Sequence, residues 1–568
     1  MKNGKTILFY FLLFLGYAGL SVLFTWPLVK NFLSAIIGQT DFTDGPFFLW
    51  NLWWVNRAIS SGQNPLFSNF VFYPAEVNLT LHTLTFTSAI IARPLLKIFS
   101  AITAQNIILL FSIALSALGT AALVDYLTKN KLSGIISGII FAFTPNVAAH
   151  LQAGHYNLAA LWAVPLIVLF FLKTLREESP LNPLIFSLLM IAQFYLDLQT
   201  SSAALIILFF ILIWSIIFNF RITVNLKKMW LLCLAIVPLI VFFFIPYVYW
   251  MKQFWMDKTL DRTFNNGDLN LIFGNNPLNP ILGGNYSLLT KLIGSYRENT
   301  ISLGFSAMAL AVLSFAFTKN IKDKIMFFIL AIIGIVLAAG PNLQINGQIF
   351  QNIRLPFFYI ARLPFFDIGV VPTRYIIVSS LALAVLAGYF CAGIFGFLKF
   401  YGTIALKAAL VLIFSAAVAL EYYSGPLKID HIRVSPIYSK IANEPGNFTV
   451  LASSANAHDQ YFQTVHLKKM VSGSLSRRIQ PFYTREYQEM PGVGPLVSEK
   501  LESEYFAPED SNRELVLKSF RELKIKYIFV DKTTHTEEVV QRARKYLSDI
   551  IGLPVYAEDS LVIVYKID

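Results

Sequence analysis

The hydrophobic pattern consists mainly of long unbroken apolar windows rather than alternating or amphipathic positions. Windows long enough to cross about 30 Å of hydrocarbon recur up to residue 422. They predict spans at 6–28, 104–126, 133–149, 157–172, 181–197, 200–218, 229–250, 301–318, 325–339, 373–396 and 403–422, about 11 in all. The first, after Met1–Lys5, is too long for a cleaved leader and lacks a small-x-small site, so it predicts a retained span. The pattern breaks in three long segments, 29–103, 251–300 and 340–372. The first of these is rich in aromatics, and its 86–99 stretch reads as a helix lying on a membrane surface. Irregular connections of this length are uncommon unless they carry function. Beyond residue 424 the periods are those of an α/β domain. Short β-rich runs lie at Phe448–Ala452 and Ile525–Val530, an amphipathic helix at Thr536–Ile551, and a hairpin at Pro554–Ile567 turning near Glu558-Asp559-Ser560.

Composition supports this division. Only 14% of the 568 residues are charged while 56% are hydrophobic, against about 25% charged in a soluble chain. Disorder, coiled coil and a disulfide-rich secreted scaffold are excluded on the same figures. Of 45 Lys/Arg and 33 Asp/Glu, residues 425–568 hold 19 of each. The net charge of +12 therefore sits in residues 1–424, where it reports topology and not nucleic-acid binding. The two cysteines, Cys233 and Cys391, fall in apolar runs and suit neither a disulfide framework nor a zinc site.

Basic residues set the orientation. With the N-terminus cytoplasmic, short connections carrying Lys2, Lys5, Lys129, Lys131, Lys173, Arg176, Lys319, Lys322, Lys324, Lys399 and Lys407 among others all face one side. An odd number of spans then puts 425–568 outside a plasma or inner membrane. Acidic residues concentrate on that outer side, and few ionisable residues fall in mid-span, which argues against an ion pathway.

Four outer segments carry candidate chemistry. Asp41 and Asp44, ahead of Trp50, Trp53 and Trp54, could supply a general base or bind a divalent cation. The plainer alternative is that Asp44 caps a helix opening near Pro46 and the tryptophans form an interfacial belt. His150-Leu-Gln152-Ala-Gly-His155-Tyr-Asn157 offers a hydrogen-bonding surface for hydroxyls, or is simply a polar turn. Asp197-Leu-Gln199 reads as the outer C-terminus of a span, where a carboxylate opposes the helix dipole and needs a partner or a task. Arg354, Arg362 and Arg374 suit a phosphate, or snorkel to headgroups. On one interface, these groups suit a reaction between a membrane-embedded phosphate donor and an extracytoplasmic acceptor.

These motifs, together with Thr40-Asp41-Phe-Thr-Asp44, Asn64-Pro65, Phe72-Tyr-Pro74, His82-Thr83, Phe143-Thr-Pro145, Glu298–Gly304 and Val371-Pro-Thr-Arg374, resemble the C-type glycosyltransferases (the GT-C superfamily), within them a prokaryotic YfhO-like branch. The resemblance implies a GT-C-like membrane domain over 1–424 and an inverting transfer from a polyprenyl-phosphate sugar to an extracytoplasmic glycan, lipid or protein. It implies Asp41 or Asp44 as catalytic base, and substrate contacts from Trp50, Trp53, His82, His155, Asn157, Asp197, Gln199, Glu298, Arg362 and Arg374. Relatives in the superfamily use a metal held by acidic motifs. No second acidic motif is clear here, so a divalent cation (Mg or Mn) is left open and no metal ligand is assigned. The competing reading is a flippase for a lipid-linked saccharide, or an inactive GT-C-like scaffold in envelope assembly.

Overall fold

The computed structural model describes residues 2–39, 44–218, 230, 234, 237–254, 266–283, 299–317, 319–363, 366, 371–398, 403–453, 456–476, 480–497 and 508–567. The principal helices in chain order are α1 (Lys2–Phe24), α2 (Gly45–Ser60), α3 (Ala101–Thr128), α4 (Lys131–Ala142), α5 (Pro145–Gln152), α6 (Ala163–Arg176), α7 (Leu181–Phe194), α8 (Leu198–Phe218), α9 (Phe305–Leu313), α10 (Ile321–Ala338), α11 (Ile376–Phe397), α12 (Ile404–Tyr422) and α13 (Ala457–His466). The principal strands are β1 (Asn342–Ile345), β2 (Gln348–Arg354), β3 (Thr449–Ala452), β4 (Lys469–Met470), β5 (Ile525–Asp531), β6 (Val555–Glu558) and β7 (Val562–Lys566). The chain divides into two compact units. One comprises 1–31, 106–246 and 262–429, the other 32–105, 247–261 and 430–568.

Among the described residues, six helical segments are long and apolar enough to cross a membrane: Gly4–Phe24, Ala101–Thr128, Lys131–Gln152, Leu198–Phe218, Pro372–Phe397 and Ala405–Tyr422. They coincide with six of the windows read from the sequence. Several of the other windows form shorter helices, Leu181–Phe194, Val237–Met251 and Phe305–Ala316 among them. Helix α10 reaches 18 residues but opens on Lys322, Asp323 and Lys324. Lys324 is buried there, its ammonium donating to the carbonyls of Ser314 (2.7 Å) and Phe317.

Small residues set the helix packing of the first unit. A Cβ at Gly134 would stand 2.6 Å from the Ala121 carbonyl oxygen, and one at Gly138 2.6 Å from that of Ala117. Backbone-to-backbone approach of α3 and α4 therefore requires both glycines, the small-xxx-small arrangement of apolar helices. Tyr17 of α1 closes on the same face, its hydroxyl donating to the Ile135 carbonyl at 2.8 Å. Ser379 of α11 lies against Gly334 of α10 and donates to the Ala331 carbonyl at 2.8 Å. Helix starts are capped locally, α4 by Asn130, α5 by Thr144 ahead of Pro145, and α12 by Thr403. At α9 the cap comes from a distant residue. Glu421 accepts from the N–H groups of Phe305 and, at 2.8 Å, Ser306, satisfying donors that a helix start leaves open.

The second unit is built on a five-stranded sheet in the order β6-β7-β5-β3-β4. β3 is parallel to both β4 and β5, while β7 runs antiparallel to β5 and β6. The segment 32–105 belongs to this unit. Helix α2 lies against α13, where the buried Trp50 donates its indole N–H to Gln463 Oε1 at 2.7 Å. Met470 donates to the Phe70 carbonyl (2.8 Å), and the Tyr487 hydroxyl donates to that of Phe72 (2.8 Å). Leaving such buried groups unpaired costs roughly 1–3 kcal/mol each, so these bonds fix which segments belong together.

Candidate functional site

The candidate residues fall on both units.

In the helical unit, Asp197 does not end a helix. Helix α7 stops at Phe194, and Asp197 is the residue before α8 begins at Leu198. Its Oδ1 accepts from the Thr200 N–H at 2.6 Å, which makes it an N-cap favoured by the dipole rather than opposed by it. Its Oδ2 accepts from the Asn157 amide at 2.7 Å, so both carboxylate oxygens are occupied and the residue is 8% exposed. One step along α8, the Gln199 amide donates to the Val371 carbonyl at 2.6 Å, and its oxygen accepts from Arg374 Nη1 at 3.3 Å. Ser202 and the buried Tyr375 pair their hydroxyls at 2.7 Å. The network thus joins the start of α8 to the turn Pro372–Tyr375 that leads into α11. Arg374, half-buried, is its cation. Among the described residues, both amide atoms of Gln193, one turn ahead of Asp197, and the hydroxyl of Thr373, next to Arg374, are buried without a hydrogen-bond partner. His150 and His155 face each other Nδ1 to Nδ1 at 3.2 Å, so one ring donates and the other accepts there. Gly154 (φ +74°) makes the left-handed turn that brings them together.

The third long segment of the same unit is a hairpin, β1 with β2, followed by a short helix at Phe357–Ile360. Arg354 and Arg362 are both exposed, and both place their guanidinium over the Phe358 ring, at 4.4 and 4.1 Å from its centre. Among the described residues neither has a carboxylate in ion-pair range. The two guanidinium groups share one aromatic ring.

In the second unit, Asp44 precedes α2 with Pro46 in the first turn, and its side chain makes no capping hydrogen bond. Trp50 and Trp54 are buried and stacked (5.9 Å between centres, 9° between planes), and form core rather than an interfacial belt. Trp53 is half-buried, with Arg57 5.5 Å over its ring. His82 is also core. Ser476 N–H donates to Nδ1 at 3.0 Å, so Nε2 carries the proton and donates to Asn51 Oδ1 at 3.1 Å. The Asn51 amide is oriented in turn by its bond to the Thr83 carbonyl (2.8 Å). Burial pushes the His82 pKa down to about 3, the charge of Asp44 acting weakly against this, and the ring stays neutral.

Asp41 and Glu298 lie outside the described residues. Among the described residues no group of three or more His, Cys, Asp or Glu is arranged to hold a metal ion. Arg354 is the residue that the carried-over site set omitted, although the repeated arginines of 340–372 pointed to it. The orphaned amide of Gln193 has no counterpart signal in the sequence.

No protein-family model matches the sequence, and no curated protein sequence matches it. The cryo-EM structure of the arabinofuranosyltransferase AftD from mycobacteria is similar over 97% of this chain, with TM-score 0.56 and 13% identity. The chain shares the fold of that structure. It spans 39% of the AftD chain, and at this identity the likeness is one of fold alone. A mutant form of AftD gives TM-score 0.55 at 12% identity, covering 97% of this chain and 41% of that one. The archaeal oligosaccharyltransferase AglB from Archaeoglobus fulgidus, solved with an inhibitory peptide and a dolichol-phosphate, gives 0.48 at 11% identity, with 92% and 69% covered.

Proposed function

We infer that the protein is a membrane glycosyltransferase that moves a sugar from a polyprenyl-phosphate donor to an extracytoplasmic acceptor with inversion. The observation that carries the reading is the cationic pair Arg354 and Arg362 over Phe358, exposed and without carboxylate partners among the described residues of a chain that shares the fold of AftD. A phosphate leaving group needs such charge where its own charge develops.

In this reading Asp41 or Asp44 takes the proton from an acceptor hydroxyl as that oxygen bonds the anomeric carbon. The bond from the anomeric carbon to the phosphate oxygen breaks, its electrons leave with the polyprenyl phosphate, and Arg362 or Arg374 holds the negative charge. Asp197, Gln199 and Asn157 are positioning residues, since their polar atoms are spent on each other, on backbone and on Arg374. Trp50 and His82 are framework, and His155 and Trp53 are the partly exposed groups open to a sugar. Residues 425–568 form the extracytoplasmic α/β domain and bind the acceptor, with the N-terminus cytoplasmic.

The test is sugar transfer by purified protein supplied with a panel of polyprenyl-phosphate sugars. Asp41→Asn and Asp44→Asn run beside the wild type, with and without a chelator. Loss of roughly 10²–10⁴-fold in turnover in one aspartate variant, with expression and melting unchanged, identifies the base. Chelator sensitivity assigns a divalent cation. Tight binding of one donor without turnover overturns the enzyme reading in favour of a flippase or scaffold.

A further inference from the structure

The five-stranded sheet of the second unit changes its winding direction between β3 and β5. From β3 the chain runs through α13 to β4, on one side of β3. After the helix Arg513–Glu522 it re-enters as β5 on the other side of β3, then continues through the helix Glu537–Arg544 to the β6–β7 hairpin. β3 and β5 are parallel neighbours, so their carboxyl ends lie side by side while the chain leaves them in opposite directions. In open α/β sheets a crevice opens at such a point, outside the carboxyl ends of the strands, and ligands bind there. None of the candidate residues described above lies in it.

Polar side chains line this crevice. Ser453 Oγ, just past β3, lies 3.3 Å from His535 Nε2, and the Asn456 amide donates to Thr534 Oγ1 at 2.8 Å. These two bridges hold the ends of β3 and β5 at a fixed separation. Asn456, Thr533, Thr534 and His535 are half-buried and form a rim, whereas Asp531, the last residue of β5, is 1% exposed. Asp531 Oδ1 accepts from the Thr533 N–H at 2.6 Å and from its hydroxyl at 2.7 Å, which turns the carboxylate toward the rim. Asp531 Oδ2 is buried with no hydrogen-bond partner among the described residues. A carboxylate oxygen left so costs stability until something donates to it.

Charge narrows the ligand. Burial, and then the charges of Asp459, Asp531 and Asp559, push the Tyr438 hydroxyl well above its usual pKa, so these three carboxylates surround one buried phenol. Lys532, the cation of the same loop, is engaged by Glu558 and the Asp559 carbonyl, and Asp430 is paired with His458 at 2.9 Å. A phosphate would meet carboxylates here, and among the described residues no set of three His, Cys, Asp or Glu is arranged for a metal ion. Thr534 Oγ1 accepts from Asn456 and keeps its own proton to donate, while Asp531 Oδ2 accepts. A donor and an acceptor in one loop match neighbouring hydroxyls, whereas an ammonium group has nothing to accept with. We propose that the crevice at the carboxyl ends of β3 and β5 is a saccharide-binding site, where Asp531 Oδ2 accepts from one hydroxyl of a vicinal diol and Thr534 Oγ1 donates to its neighbour. The proposal rests on the reading of residues 425–568 as the acceptor-binding domain, and makes that acceptor a glycan.

The test is saturation-transfer difference NMR on the full chain in detergent, with no donor present. The probes are methyl glycosides of mannose, galactose, glucose and xylose, with ethanolamine and inorganic phosphate as the cationic and anionic alternatives. At least one glycoside should bind, and Asp531→Asn should weaken it roughly 10- to 100-fold, the loss of a hydrogen bond to a charged group. Thr534→Val should weaken the same glycoside. Asp531→Asn removes an unpaired buried charge and keeps an oxygen for Thr533, so its melting temperature should match or exceed that of the wild type. No glycoside binding, stronger binding of ethanolamine or phosphate, or undiminished glycoside binding in both variants overturns the proposal. Because the donor is absent, glycoside binding without turnover in the transfer assay fails the enzyme reading alone. Turnover without glycoside binding fails this proposal alone.

Discussion

His82 is buried, is neutral and has both ring nitrogens engaged. Its folded pKa of about 3 lies below the ordinary 6.5. Between those values the unfolded chain takes up a proton that the folded one does not, so the contribution is complete above pH 6.5 and declines as pH falls. His466 is held down to about 3 by burial in the same unit and acts in the same direction. Together they should cost about 1 kcal/mol per pH unit each below pH 6.5. Melting temperature between pH 6.5 and about 5 should fall with a slope that His82→Gln cuts to about half. The sequence placed His82 in a motif but could not say whether its ring faced a substrate or the core. That was decided by Asn51 and Ser476, the second of them 394 residues away.

Helix ends are where the sequence reading was least determinate. Apolar windows located the six long helices well, because span length is imposed by the bilayer. The window 181–197 put Asp197 at the C-terminal end of a span, because apolar content does not mark which side of a short break owns a polar residue. The structure makes it an N-cap, and this changes what its removal should do. Asp197→Ala should destabilise the protein by about 1–3 kcal/mol, losing the cap and stranding the Asn157 amide, whereas Asp197→Asn can keep the cap and should cost less. Thermal melting in detergent separates the two. The strands β3, β5 and the β6–β7 hairpin match the runs read from sequence to within one residue, since short β-rich stretches bounded by turn residues are local signals.

At the scale of the molecule, the association of 32–105 with 430–568 was not legible in the sequence. Trp50 and Gln463 are 413 residues apart, and no periodicity or motif reports a contact at that separation. Residues 430–568 produced alone should therefore lack a fixed tertiary structure. Without the first-loop segment, Gln463, Met470 and Tyr487 lose the partners that bury them. Dispersed amide resonances that appear only when 32–105 is supplied as well would meet this expectation, and a well-dispersed spectrum from 430–568 alone would contradict it.

That same pairing has a meaning in time. A ribosome adding about 5–20 residues per second needs on the order of 20–80 s to travel from Trp50 to Gln463. For that interval the stacked indoles of α2 have been translated, but the helix that will cover them has not. A nascent chain with two large aromatic rings waiting uncovered is a client for whatever holds unfinished chains. Truncating messages should leave that first segment exposed to proteases, however completely the apolar helices have inserted.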